Sequence, residues 1–138
     1  MSVEILQEIP SQDETLDLYA SVGWVTYTQD PETLMAALAG SSYVLTARND
    51  ANELVGLARV ISDNQTIAYV QDILVRPEAH RTGVGSALMN EILERSFNIR
   101  QVVLLTDAEP AQRAFYEAKG LTEAHDVEPG LRSFVRLL

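Results

Sequence analysis

Cysteine is absent from this chain of 138 residues, which excludes disulfide bonds, thiolate zinc sites and cysteine nucleophiles. Long apolar runs are absent too, because no stretch approaches the ~20 residues that a membrane-spanning helix needs. The N-terminal Met-Ser-Val-Glu is acidic and lacks the charged-then-apolar pattern of a signal peptide. These absences predict a soluble cytoplasmic protein without a membrane partner.

Basic residues are scarce, with 10 against 20 acidic ones and a formal net charge of −10. Such a surface repels nucleic acid and weakly attracts cations. This suits an amine substrate, although the same charge could simply keep the protein soluble. The length fits a single domain spanning residues 1–138.

The most informative segment is a glycine-containing loop at residues 76–86, Arg-Pro-Glu-Ala-His-Arg-Thr-Gly-Val-Gly-Ser. Before it, Ile67–Val75 reads as a strand buried on both faces, and after it apolar residues recur at helical spacing from Val84 onward. Gly83 and Gly85 let backbone N–H groups close around an anion at the positive end of the new helix. The segment therefore predicts a phosphate-binding element.

The spacing of the glycines separates this loop from other phosphate cradles. A Rossmann loop would have a third glycine or alanine at Leu88, and a Walker loop would have Lys after Gly85. The segment resembles the Gln/Arg-x-x-Gly-x-Gly/Ala signature of the GNAT superfamily of N-acetyltransferases, which holds the pyrophosphate of coenzyme A. Its positions here are His80, Arg81, Thr82, Gly83, Val84 and Gly85. His80 stands where Gln or Arg is usual, and Arg81 adds a permanent cation.

A second motif follows the loop, at the end of a short helix that is predicted to begin at Pro110 and to stop at Gly120. Phe115-Tyr116-Glu-Ala-Lys-Gly-Leu resembles the Phe-Tyr-x-x-x-Gly-Phe segment of the same superfamily, with Leu in the last position. Glu109 replaces an Asn that the family often carries near the start of this helix. Two motifs in the right order identify the chain as a GNAT-like protein.

The resemblance implies an α+β fold, a mixed and mostly antiparallel sheet flanked by helices in three layers. It implies acetyl-CoA as cofactor, coenzyme A as product and no metal. The fourth and fifth strands should splay apart, so that the backbone of Ile73, Leu74 and Val75 pairs with the pantetheine arm and one N–H faces the thioester oxygen. Loop residues 80–85 and Ser86 should hold the pyrophosphate. Tyr116 matches the family's general acid, although it could merely pack beside Phe115.

Four further side chains are candidates on the acceptor side. Asp72 interrupts an apolar strand, where it could act as general base, bind a substrate ammonium or make a structural bond, with water removing the proton instead. Trp24 and Tyr27 either line an acceptor pocket or hold the helices against the sheet by packing. Arg59 either recognises a substrate carboxylate or satisfies Asp72 across the sheet.

The remaining pattern predicts an alternation of helices and strands. A capping box at Ser11 and Glu14 opens a helix that runs to about Val22, and Asp30-Pro31 opens another that ends at Gly40. Strands are predicted at residues 3–9, 43–47, 54–61, 67–75, 101–106 and 133–138, with those at 43–75 forming an antiparallel meander.

These features predict an acetyl-CoA-dependent N-acetyltransferase that acts on the primary amine of a small molecule by direct attack in a ternary complex. Two alternatives stay open: a non-catalytic module that binds acetyl-CoA as a sensor or regulator, and an acetyltransferase for protein lysines or N-termini. A homodimer is compatible with each of these three possibilities.

Overall fold

The computed structural model describes residues 2–138, which fall into a larger unit up to Leu105 and a smaller unit, Thr106–Leu138. A single domain therefore stays a prediction. The larger unit contains, in order, β1 (Glu4–Gln7), α1 (Gln12–Ser21), α2 (Val25–Thr28), α3 (Pro31–Gly40), β2 (Tyr43–Arg48), β3 (Leu54–Ser62), β4 (Ile67–Val75), α4 (Val84–Arg95) and β5 (Gln101–Leu104). The smaller unit contains α5 (Pro110–Ala118).

The strands form one sheet in the order β1-β2-β3-β4-β5, with antiparallel pairing among the first four and parallel pairing between β4 and β5. This confirms the α+β class, the mixed sheet and the meander. The β4–β5 pairing ends at Val70 and Leu104, whereas β4 continues to Val75. The second half of β4 therefore has an edge that β5 does not cover, as expected for strands that splay apart.

The helix boundaries follow from the predicted caps. The Ser11 side chain accepts a hydrogen bond from the Glu14 N–H while the Glu14 carboxylate accepts one from the Ser11 N–H, completing the capping box of α1. Asp30 accepts a hydrogen bond from the Thr33 N–H and precedes Pro31 at the start of α3. Both helix starts are therefore confirmed.

Helices pack on both faces of the sheet. Leu18 and Leu34, from α1 and α3, share a buried cluster with Leu57 and Leu74 of the sheet. On the other face, a Cβ on Gly56 would lie 2.9 Å from Val84 Cγ1 and 3.2 Å from Leu88 Cδ1. Only glycine permits this approach, so Gly56 lets the N-terminus of α4 lie directly against β3.

A β-bulge in β4 decides which face Asp72 occupies. Val70 pairs with Val60, but Asp72 pairs with Arg59, so Gln71 is an extra residue in β4. Because paired residues share a face, Val70 lies with Val60 and Gly56 on the α4 face, and Asp72 lies with Arg59 on the opposite face. Without the bulge, Asp72 would point toward α4 like Val70.

The predicted last strand at residues 133–138 is wrong, because this segment of the smaller unit forms no strand among the described residues. Its apolar residues are Phe134, Val135, Leu137 and Leu138, all more than half exposed. They occur as adjacent pairs rather than at every second position, so no single face of a strand would be apolar. Within residues 2–138, no helix combines the length and the apolar composition needed to cross a membrane.

Candidate active site

The loop between β4 and α4 presents backbone donors that have no partner. Within residues 2–138, the N–H groups of residues 81–85 make no hydrogen bond of ordinary geometry. Arg81 and Gly83 adopt left-handed backbone conformations, with φ of 64° and 90°, which turn successive N–H groups toward one another. Gly83 is also the N-cap of α4 and offers no capping side chain. The loop can therefore bind an anion at the positive end of α4.

The side chains around this loop bond to carbonyl oxygens instead. His80 Nε2 lies 2.9 Å from the Val75 carbonyl oxygen. The Thr82 hydroxyl donates to the Ala79 carbonyl at 2.5 Å, and Arg76 Nε donates to the Leu54 carbonyl at 2.7 Å. Arg81 is exposed and leaves its charge available to a ligand. Donors thus remain open in the loop while several nearby acceptors are occupied.

The open edge of β4 presents the backbone of Ile73 and Val75. The Arg76 N–H donates to the Val55 carbonyl of β3 at 2.9 Å. Hydrogen-bonded and non-bonded pairs alternate in an antiparallel ladder, so Leu74 bonds to Leu57 and the next pairs on either side do not bond. The backbone groups of Ile73 and Val75 consequently face the uncovered edge, whereas those of Leu74 belong to the ladder with β3.

Asp72 is the centre of a buried polar cluster on the face of the sheet opposite α4. Its carboxylate accepts hydrogen bonds from Arg59 Nε at 2.5 Å, from the Tyr19 hydroxyl at 2.9 Å and from the Tyr27 hydroxyl at 3.0 Å. Only 3% of Asp72 and 8% of Arg59 are exposed. Arg59 and Asp72 thus form an ion pair across the sheet, and recognition of a substrate carboxylate by Arg59 stays a prediction.

The electrostatics of this cluster follow from burial and from the Asp72 charge. Burial raises the pKa of Tyr19 above its ordinary value, and the neighbouring carboxylate raises it further. Burial alone would lower the pKa of Arg59, but its hydrogen bond to Asp72 reverses the direction and the net shift is upward. Tyr19 therefore stays neutral and Arg59 stays charged.

The two predicted pocket aromatics belong to the same cluster. The rings of Tyr27 and Trp24 lie 5.2 Å and 5.9 Å from the ring of Tyr19 in edge-to-face contacts. Both side chains are partly buried and pack against the core below α1 and α3. These contacts support the role of packing the helices against the sheet. A role in an acceptor pocket stays a prediction.

Tyr19 is the member of this cluster that sequence reasoning missed. The amphipathic pattern of α1 accounts for its burial, and a buried tyrosine hydroxyl needs a hydrogen-bond partner. That requirement was the available signal. It could not identify Asp72 as the partner, since the two residues are 53 positions apart.

Tyr116 lies in α5 of the smaller unit, where 9% of it is exposed and its ring contacts Phe115 edge to face at 4.9 Å. Burial raises the pKa of Tyr116 to about 12, with a further contribution from the negative charge of Asp107. The phenol therefore keeps its proton at neutral pH, as a general acid must.

A group of possible metal ligands lies in the smaller unit: Glu123, His125 and Asp126, all exposed. Arg113 already bonds to Glu123 at 3.0 Å and to Asp126 at 2.8 Å. Because these carboxylates are paired with a guanidinium and face solvent, the cluster is explained as a surface ion-pair network.

Comparisons with known proteins bear on the family and the fold of this chain. The Acetyltransferase (GNAT) family profile matches residues 5–121. The chain is 29% identical to the GNAT family protein SP0256 of Streptococcus pneumoniae TIGR4, with a TM-score of 0.85 over 99% of this chain and 98% of that one. It is 28% identical to the uncharacterized N-acetyltransferase ycf52 of Pyropia yezoensis over 88% of this chain and 74% of the relative. It is 26% identical to the histone acetyltransferase TAP1 of Glycine max over 78% of this chain and 51% of that protein.

Proposed function

Because the chain belongs to the GNAT family of acetyltransferases, we propose that it transfers the acetyl group of acetyl-CoA to the primary amine of a small molecule. The amine attacks the thioester directly while both substrates are bound. The observation that carries the proposal is the row of N–H groups at residues 81–85 that have no partner among residues 2–138, one short turn after the open edge of β4.

The backbone supplies binding and orientation in this proposal. The N–H groups of residues 81–85 bind the pyrophosphate, and Arg81 adds a positive charge. Ile73 and Val75 pair with the pantetheine amides along the uncovered edge of β4. One N–H of that edge faces the thioester oxygen and stabilises the negative charge that develops as the amine attacks. Acetyl-CoA itself contributes the activated acetyl group.

Proton transfers involve one side chain and water. As the C–N bond forms and the C–S bond breaks, Tyr116 donates its proton to the departing thiolate and regains one from solvent water before the next turnover. We assign the amine proton to water rather than to Asp72, because the Asp72 carboxylate already accepts three hydrogen bonds, one of them from a guanidinium. The net charge of −10 favours the approach of a cationic amine.

A protein substrate is the second candidate, favoured by the name of one relative, the histone acetyltransferase TAP1. The present chain spans about half the length of that relative, so the name alone does not transfer the substrate. A non-catalytic acetyl-CoA-binding module is the third.

A thiol-release assay with acetyl-CoA separates the three. The acceptors are a panel of small primary amines, lysine-containing peptides and peptides with a free N-terminus, and mass spectrometry identifies the acetylated product. We expect acetyl-CoA-dependent release and an acetamide product with at least one small amine. Turnover with peptides alone would replace the small molecule by a protein, and binding of acetyl-CoA without any turnover would indicate the non-catalytic module.

A further inference from the structure

His80 occupies the position in the loop signature where this chain departs from Gln or Arg, and its ring bonds to the protein itself. His80 Nε2 lies 2.9 Å from the carbonyl oxygen of Val75. A carbonyl oxygen only accepts hydrogen bonds, so Nε2 must carry a proton. Because His80 is exposed, packing does not hold the ring in place and the bond to Val75 does.

This bond joins the end of β4 to the start of the anion-binding loop. Between them lies one short turn, in which the Ala79 N–H donates to the Arg76 carbonyl and the His80 N–H donates to the Pro77 carbonyl, at 2.9 Å and 3.1 Å. The His80 side chain reaches back across this turn to the strand. The direction of the N–H groups of residues 81–85 depends on how the turn leaves β4, and the His80 bond is a side-chain contact that ties this turn to the strand.

The same bond changes which groups the open edge of β4 offers. Val75 lies on that edge, and its carbonyl is occupied by His80. The Val75 N–H and both backbone groups of Ile73 remain for a pantetheine arm. A partial negative charge near the loop is also neutralised, since the imidazole donor covers the carbonyl oxygen.

We propose that His80 is a positioning residue for acetyl-CoA, which holds the Val75 carbonyl and thereby orients the N–H groups of residues 81–85, and that it does not contact the pyrophosphate. The proposal rests on the proposed function, since it needs acetyl-CoA as the ligand. It distinguishes this chain from a loop in which the same position supplies a cation to the phosphates.

The test compares acetyl-CoA binding by isothermal titration calorimetry for the wild type, His80→Ala, His80→Gln and His125→Ala. His80→Ala should raise the Kd about tenfold through loss of one orienting hydrogen bond. His80→Gln should stay within about twofold of the wild type, because the glutamine amide supplies an N–H at similar reach without a charge. His125→Ala is the matched control and should leave the Kd unchanged, since 66% of the His125 side chain is exposed and its ring lies against Glu123 and Asp126.

Two further measurements separate positioning from a general loss of structure. In turnover, His80→Ala should raise the KM for acetyl-CoA and leave kcat at saturating acetyl-CoA unchanged. In 15N NMR, the His80 Nε2 resonance of the wild type should keep the shift of a protonated nitrogen when acetyl-CoA binds.

Each contrary result has one meaning. A wild type that does not bind acetyl-CoA would refute the proposed function. If the wild type binds and His80→Ala binds equally well or more tightly, the function stands and the positioning role is refuted. Equal losses in His80→Ala and His80→Gln would contradict the positioning role, because the N–H of glutamine should replace the bond to the Val75 carbonyl.

Discussion

The two candidate sites of the larger unit treat their polar groups in opposite ways. In the loop after β4, the N–H groups of residues 81–85 have no partner among the described residues. In the Asp72 cluster, the carboxylate accepts three hydrogen bonds from the side chains of Arg59, Tyr19 and Tyr27. Buried polar groups that satisfy one another stabilise a fold, whereas unpaired donors at a helix N-terminus are ready for a ligand. We therefore propose the loop as the binding site and the cluster as its structural support.

One position in β4 marks both the start of the edge that β5 does not cover and the change of face that gives the Asp72 cluster its place. The pairing of β4 with β5 ends at Val70, and the next residue, Gln71, is the bulge that turns Asp72 toward α1. The strand therefore leaves β5 and changes the face of its acidic residue at the same point. Bulges often mark such positions, because they end pairing and redirect side chains together.

Substitution of Asp72 should have the largest effect on stability. Asp72→Asn leaves the buried Arg59 without its counter-charge, and we expect the free energy of unfolding to fall by about 3 kcal/mol. Urea denaturation measures the loss, and acetyl-CoA affinity of the folded variant should be unchanged. The double variant Asp72→Asn/Arg59→Met should recover part of the stability, because it removes the uncompensated charge.

Two other results would give Asp72 a role in substrate binding or catalysis instead of a structural one. Unchanged stability with a raised KM for the amine would make Asp72 an ammonium anchor. Loss of the acidic limb of the rate–pH profile in Asp72→Asn would make it the general base.

Substitution of Tyr116 tests the one side chain to which we assign chemistry. Tyr116→Phe should keep the ring contact with Phe115 and the acetyl-CoA affinity while lowering kcat about 10²-fold. With a pKa of about 12, the wild-type phenol should lose its proton, and with it the rate, only as the pH rises toward that value. An unchanged kcat under conditions where chemistry limits the rate would mean that Tyr116 only packs and is not the general acid.

Substitution of Glu14 should lower the stability less than substitution of Asp72, because solvent reaches the Glu14 carboxylate. The bond from Arg48 is the main cause that lowers the pKa of Glu14 from 4.5 to about 2, but 36% of the Glu14 side chain is exposed. Glu14→Gln should therefore lower the free energy of unfolding at neutral pH by only about 1 kcal/mol.

The pH dependence of this loss has a definite sign. A depressed pKa in the folded state stabilises the protein above the unfolded value of 4.5, and the contribution disappears as the pH falls to about 2. The difference between the wild type and Glu14→Gln should shrink over that interval. Glu32→Gln, in the first turn of α3, is the control, and an equal loss there would assign the effect to helix charge alone.

Local signals made the elements and the loop predictable. The capping box at Ser11 and Glu14 and the proline after Asp30 fixed two helix starts, and the spacing of Gly83 and Gly85 identified the loop. These patterns extend over a few residues, so the sequence displays them directly.

Features that depend on pairing between distant residues could not be predicted from the sequence. Ala68, Val70, Asp72 and Leu74 are all buried at every second position, which reads as one continuous face. The bulge at Gln71 places them on two faces, and only the register with β3 reveals it. Residues 133–138 have the composition of a strand, but their apolar side chains lack its alternation.

The most direct measurement of the contrast between the two regions is acetyl-CoA binding by calorimetry to Gly83→Val, Gly23→Val and Asp72→Asn. Gly83 and Gly23 have φ of 90° and 78° with open space around the position of a Cβ, so valine strains both turns similarly and only one of them belongs to the loop. We predict that Gly83→Val binds at least about 10²-fold more weakly than the wild type, while Gly23→Val and Asp72→Asn keep wild-type affinity. Wild-type affinity in Gly83→Val together with loss of binding in Asp72→Asn would reverse the assignment of the two regions.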